Sequence, residues 1–178
     1  MNNFPVKVDG KEYWISRSNA VVGIVYKYDE EGNLYILANK RGKGCPDYVG
    51  YWNITCGYLD YNENITNAVS REVFEETGLV IPKEDWHLWY VNSSPDDEKQ
   101  TVSFRFVVPY MDSYGGFTNE HSEPNEVDEI KWIKMNEIGN YNWAFSQKEV
   151  LKELEKSMER DSINWRIKNK LYVNVHVK

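Results

Sequence analysis

The sequence predicts a single α+β domain in which a mixed β-sheet is covered by helices. Short runs of alternating apolar and polar residues recur along the chain. One helix-periodic segment interrupts them in the middle, and a second follows near the end. The 178 residues contain no internal repeat, low-complexity run or linker that would divide them.

Val6 to Ile15 reads as a hairpin turning at Asp9-Gly10, a pair suited to the positive φ angles of a type I′ turn. Ala20 to Tyr28 and Leu34 to Lys40 read as strands joined by the turn-rich Asp29 to Asn33. Arg41 to Tyr51 holds too much Gly and Pro for regular structure and is expected to be a loop, with a short strand after it from Trp52 to Cys56. Helical periodicity runs from Ile65 to Gly78, with Asn64 as N-cap and Gly78 as C′ residue. Strands are expected over Trp86 to Asn92 and Thr101 to Pro109, a loop over Ser113 to Asn125, and a strand around Glu129 to Ile133. Ser146 to Glu149 matches a capping box and opens a helix with Val150, Leu151, Leu154 and Met158 on one side. From Leu171 to Val177 apolar and polar residues alternate as in a half-buried strand.

Composition removes several function classes. No apolar run approaches the roughly 20 residues needed to cross a bilayer, and Met1 to Gly10 lacks the basic and apolar parts of a secretory signal, so a cytoplasmic protein is expected. Cys45 and Cys56 are too few for a disulfide framework or a zinc site and are expected to be reduced thiols. With 28 acidic against 21 basic residues the formal net charge is −7, which argues against a long nucleic acid as partner unless bound cations invert the sign locally.

The excess acidity is local. Gly57 to Val80 carries a net −4, Asp112 to Ile130 carries −6 with no Lys or Arg, and the rest of the chain sums to +3. On the central helix, Ile65, Ala68 and Val69 share a face that continues into Glu72, Glu75 and Glu76. Like charges at these spacings repel, and Arg71, at about the helix edge, can balance one of them. A hard divalent cation such as Mg²⁺ or Mn²⁺ could balance all three, because the donors are oxygen only. The alternative is a solvated acidic helix end.

The surrounding residues weigh on that choice. Gly57, five residues, Glu63, seven residues, then Arg71-Glu72-Val73-Phe74-Glu75-Glu76-Thr77-Gly78-Leu79 reproduces the signature of the Nudix hydrolase family, which the chain therefore resembles. A chance match in a chain of this length is on the order of one in ten million. The resemblance implies a Nudix fold, an α/β/α sandwich about a central mixed sheet. It would fill residues 1–178 as one domain, with a core of about 18–160, an N-terminal hairpin over 6–15 and a C-terminal strand over 163–177.

The resemblance also implies roles. Family members use water and divalent metal to cleave a diphosphate linkage in a nucleoside diphosphate joined to another group. Glu72, Glu75 and Glu76 would be metal ligands, Glu63 would support the site or a second metal, and Arg71 would orient the carboxylates. Gly57 would permit a tight turn. Many members carry Pro-Gly-Gly where this chain has Thr55-Cys56-Gly57, so the backbone carbonyl of Cys56 would take the ligand position before the signature glycine. Glu126, in the acidic loop ahead of a strand bearing Trp132, is the favoured general base and a further metal ligand, with Glu123 and Glu120 as competitors. Arg41, helped by Lys40 and Lys43, would contact phosphate, against the alternative of an exposed basic turn. Tyr48, Tyr51, Trp143 and Phe145 are candidates for base or sugar recognition by loop position, against the alternative of packing residues.

The expected substrate is a soluble nucleotide derivative: a nucleotide sugar, ADP-ribose or a nucleoside triphosphate. Rival readings are a nucleotide-sensing regulator or interaction module that has kept the fold, an RNA-cap or dinucleotide hydrolase, and a relative of isopentenyl diphosphate isomerase, for which the Cys and His metal cluster cannot be assigned. No membrane partner is expected, and a homodimer is compatible with the sequence.

Overall fold

A computed structural model of the chain describes residues 3–96 and 99–159. The strand expected over 163–177 lies outside the described residues.

Strands β1 (Phe4–Val8) and β2 (Lys11–Ile15) form a separate two-stranded sheet, and Asp9 and Gly10 take φ angles of 51° and 77° at its turn. The main sheet contains β3 (Asn19–Tyr28), β4 (Leu34–Arg41), β5 (Trp52–Asn53), β6 (Cys56–Tyr58), β7 (His87–Asn92), β8 (Val102–Pro109) and β9 (Val127–Lys134). Its main path runs β5-β4-β3-β8-β7, with β6 beside β3 and β9 beside β4. The β3–β8 pairing is parallel and the others are antiparallel, so the sheet is mixed as expected.

The two helices cover opposite faces. Along β3, Val21 and Val25 pack with Ala68, Val69 and Val73 of α1 (Ile65–Thr77). Val22, Ile24 and Tyr26 pack with Val150, Leu151, Leu154 and Met158 of α2 (Gln147–Glu159). This alternation with period two makes the three-layer α/β/α arrangement. A Cβ on Gly23 would collide with Val69 and Val73, so the missing side chain lets α1 lie close to the sheet.

Helix α1 has the predicted ends. The Asn64 side chain accepts from Asn67 N at 2.9 Å, and Gly78 closes the helix at φ 73°. Helix α2 begins differently from expectation. Ser146 has φ 57°, and its carbonyl rather than its hydroxyl accepts from Glu149 N. Gln147 turns inward instead. Its amide accepts from Ile54 N at 2.6 Å and donates to Ile54 O at 3.1 Å. That clamp satisfies the backbone where the expected strand Trp52 to Cys56 breaks into β5 and β6.

Strands β3 and β4 pair only where Tyr26 to Tyr28 meet Leu34 to Ile36. Beyond that point they diverge, β6 lies against the start of β3, and β5 and β9 flank β4. Several of the candidate residues gather around this divergence.

Candidate active site

Glu76 leaves the end of α1 toward the divergence and is only 4% exposed. Its Oε2 accepts a hydrogen bond from Asn39 Nδ2 in the middle of β4. Burial raises the Glu76 pKa well above the ordinary carboxylate range, although the Asn39 bond favours the charged form. Asn39 Oδ1 is itself buried with no hydrogen-bond partner among the described residues.

Glu72 lies against Gly57, where any Cβ would land on its carboxyl group. Gly57 is therefore needed for close approach rather than for a turn, because it sits in β6 opposite Val21 without a positive φ. Burial pushes the Glu72 pKa up to about 7 against the opposing pull of Arg71.

Arg71 does more than balance one charge. Its guanidinium donates Nε to Glu63 Oε1 at 2.9 Å and Nη2 to Glu63 Oε2 at 3.0 Å, while Nη1 reaches Glu72 at 2.7 Å and Glu75 at 3.0 Å. One cation is thus hydrogen-bonded to three carboxylates, with a fourth, that of Asp60, 3.9 Å away. It holds the Glu63 pKa below the ordinary range and draws Glu75 to a half-exposed position. Among the described residues no three Asp, Glu, His or Cys side chains make a compact metal-ligand group, since Arg71 holds Glu72 and Glu75 while Glu76 turns to Asn39.

A cavity of about 600 Å³ opens beside this cluster. Glu72, Glu126, Gly57 and Cys56 line it, together with Arg41, Asp47, Tyr48 and Phe145. Glu126 is half-buried, and its charge raises the pKa of both Glu72 and Glu76. Its backbone is pinned, because its carbonyl accepts from Gly42 N at 2.7 Å. The competing Glu120 and Glu123 are exposed and absent from the lining. The Cys56 thiol is pushed up to about 12 by burial, which leaves it protonated and unreactive, and both cysteines are free thiols.

The remaining expected residues separate into two groups. Arg41 lines the cavity, donates Nε to Asp47 O at 3.0 Å and Nη2 to Asp47 Oδ1 at 2.9 Å, and stands 5.0 Å from the Phe145 ring centroid. Tyr48 packs edge-on against Phe145 at 4.8 Å. Tyr48, Phe145 and Ser146 all have positive φ, a cluster of backbone strain of the kind concentrated at ligand sites. In contrast, Lys43 is exposed, and neither Lys40, Lys43, Tyr51 nor Trp143 lines the cavity. Trp143 belongs to the core, with its indole N–H donated to Ile138 O at 2.9 Å.

Sequence reading missed Asn39, Asp47, Lys99 and Arg105. Two of them left a signal: Asn39 ends the apolar run Ile36 to Ala38, and Arg105 stands between Phe104 and Phe106. Arg105 and Ser103 face the cavity while the neighbouring phenylalanines pack toward α1.

Carboxylates and cations thus meet on one cavity, as a site for a small anionic ligand requires. A model of the NUDIX domain family matches residues 17–154. The ADP-ribose pyrophosphatase of Methanocaldococcus jannaschii is 31% identical over 151 residues, covering 83% of this chain and 79% of that protein. The NAD-capped RNA hydrolase NudC of Escherichia coli O157:H7 is 30% identical over 89 residues, which is 50% of this chain but only 31% of that relative. In fold, the NUDIX domain of Shewanella oneidensis NrtR, solved with ADP ribose, matches with a TM-score of 0.65 at 18% identity, over 81% of this chain and 90% of that one. The chain belongs to the NUDIX family. The family match and the curated relatives indicate a pyrophosphohydrolase.

Proposed function

We propose that the protein hydrolyses the diphosphate linkage of a nucleoside diphosphate derivative, with ADP-ribose as leading substrate, in a reaction dependent on Mg²⁺ or Mn²⁺. The observation that carries this reading is the meeting of Glu72 and Glu126 with Arg41, Lys99 and Arg105 on one cavity, backed by the buried Glu76. The similarity to an ADP-ribose pyrophosphatase across most of both chains favours that substrate over a triphosphate.

The donor chemistry fits a hard divalent cation. Among the described residues, buried Glu76 takes a side-chain hydrogen bond from neutral Asn39, whose own Oδ1 is unsatisfied. Leaving such groups uncompensated costs stability. Glu72, Glu75 and Glu76, with Glu126 and the Cys56 carbonyl, would hold the ion. When bound, it supplies charge neutralisation at the diphosphate and lowers the pKa of water.

The chain's own residues perform the rest. Arg71 fixes Glu63, Glu72 and Glu75 in one network, and Gly57 leaves room for Glu72. Glu126 accepts the proton of the attacking water. Arg41, Lys99 and Arg105 offset the negative charge of the diphosphate, while Tyr48 and Phe145 offer aromatic surface to the base.

The test is a substrate panel with Mg²⁺ or Mn²⁺: ADP-ribose, nucleotide sugars, NAD, NAD-capped RNA and nucleoside triphosphates. Cleavage of ADP-ribose to AMP and ribose 5-phosphate, faster than of the triphosphates, supports the reading. Absence of hydrolysis across the panel overturns it.

A further inference from the structure

The loop carrying Asp47 joins two cations from distant parts of the chain. Its carboxylate takes Arg41 Nη2 on Oδ1 at 2.9 Å and Lys99 Nζ on Oδ2 at 2.6 Å. Both cations also lie 5.0 Å from the Phe145 ring centroid, and all four residues line the cavity that holds Glu72 and Glu126. We infer that Asp47 is an internal anion occupying the diphosphate subsite, so that its carboxylate competes with substrate and sets the affinity of the site. This inference rests on the diphosphate reading given above.

Two details separate neutralisation from positioning. Arg41 Nε is held by the main-chain carbonyl of Asp47 at 3.0 Å, a bond that survives any substitution of the side chain. Phe145 offers both cations a cation–π contact that is equally independent of the carboxylate. Loss of the Asp47 charge would leave Arg41 and Lys99 near their present places while removing the carboxylate they share. With Asp47 in place the three charges sum to +1. A doubly negative diphosphate and the Asp47 carboxylate therefore compete for the same two cations, with Arg105 on the same lining. The Asp47 side chain is 30% exposed and has solvent to turn into.

This role is specific to affinity. Among the described residues Asp47 pairs with Arg41 and Lys99, whereas Glu63, Glu72 and Glu75 pair with Arg71 and Glu76 with Asn39. Its removal should act on KM rather than on kcat. Partly exposed ion pairs are individually weak, so releasing two of them is expected to lower KM about fivefold.

The experiment compares the wild-type protein with Asp47→Asn and Asp47→Glu. It measures kcat and KM for ADP-ribose and, separately, binding of ADP by titration calorimetry in the presence of Mg²⁺. Asp47→Asn should bind ADP and substrate about fivefold more tightly with kcat within about twofold, and Asp47→Glu, which keeps the charge, should show no such gain in affinity. Should Asp47→Asn fail to fold, Asp47→Ser keeps the same main-chain bond and carries the same expectation. Unchanged or weaker ADP binding in the uncharged variant overturns the inference and makes Asp47 a positioning residue for Arg41. If no diphosphate is hydrolysed by wild type while the uncharged variant still binds ADP more tightly, the anion role stands and the hydrolase reading falls.

Discussion

Replacing Gly57 by Ala tests the carboxylate geometry with a single methyl group. Its Cβ would fall on Cδ and both oxygens of Glu72, far inside the 3.5–4 Å at which carbon atoms ordinarily rest. Glu72 must therefore withdraw by about 1 Å or more, and Arg71 ties its Oε1 to Glu63 and Glu75, so the whole network is disturbed. A misplacement of about 1 Å at a reacting group can cost about 100-fold in rate, and crowding of this kind costs about 1–3 kcal/mol in stability. The expectation is a loss of about 100-fold in kcat/KM for ADP-ribose with a cooperative urea transition retained. Gly116→Ala is the control, because a Cβ there meets nothing within 4 Å. Wild-type turnover by Gly57→Ala would refute the claim that Glu72 must lie against β6.

Glu76→Gln should abolish metal-dependent hydrolysis yet raise the melting temperature of the metal-free protein by about 3 °C, since it removes a carboxyl group whose ionisation burial opposes; calorimetry without added metal checks this. Glu126→Gln should slow turnover by about two to four orders of magnitude, whereas Glu120→Gln and Glu123→Gln, at exposed positions outside the cavity, should remain near wild type in the same assay. Arg71→Lys cannot reproduce a guanidinium that spans Glu63, Glu72 and Glu75, so both activity and urea midpoint should fall despite the retained charge.

What could be read from the sequence was what is local in the chain. The helix from Ile65 to Gly78, its Asn64 cap and its line of carboxylates depend on spacing within one element. Glu126 was accessible because the acidic loop precedes a strand bearing Trp132. Asp47 and Lys99 were not, because their pairing joins loops 52 residues apart and exists only once the parallel β3–β8 pairing sets their relation. The role of Gly57 was misjudged, and that of Gln147 not seen, for the same reason. Gly57 answers to a side chain on α1, and Gln147 to the backbone break at Ile54, neither of which spacing along the chain can reveal. Trp143 takes the packing alternative, which loop position alone could not separate from ligand contact.

The most direct test of the central claim sets the wild-type protein beside Glu76→Gln with ADP-ribose and increasing Mg²⁺ or Mn²⁺, resolving products by ion-exchange chromatography. The prediction is equimolar AMP and ribose 5-phosphate from wild type, dependent on the metal and abolished by chelation, with none from the variant. Equal turnover by Glu76→Gln, or cleavage by wild type that persists undiminished in chelator, would contradict it.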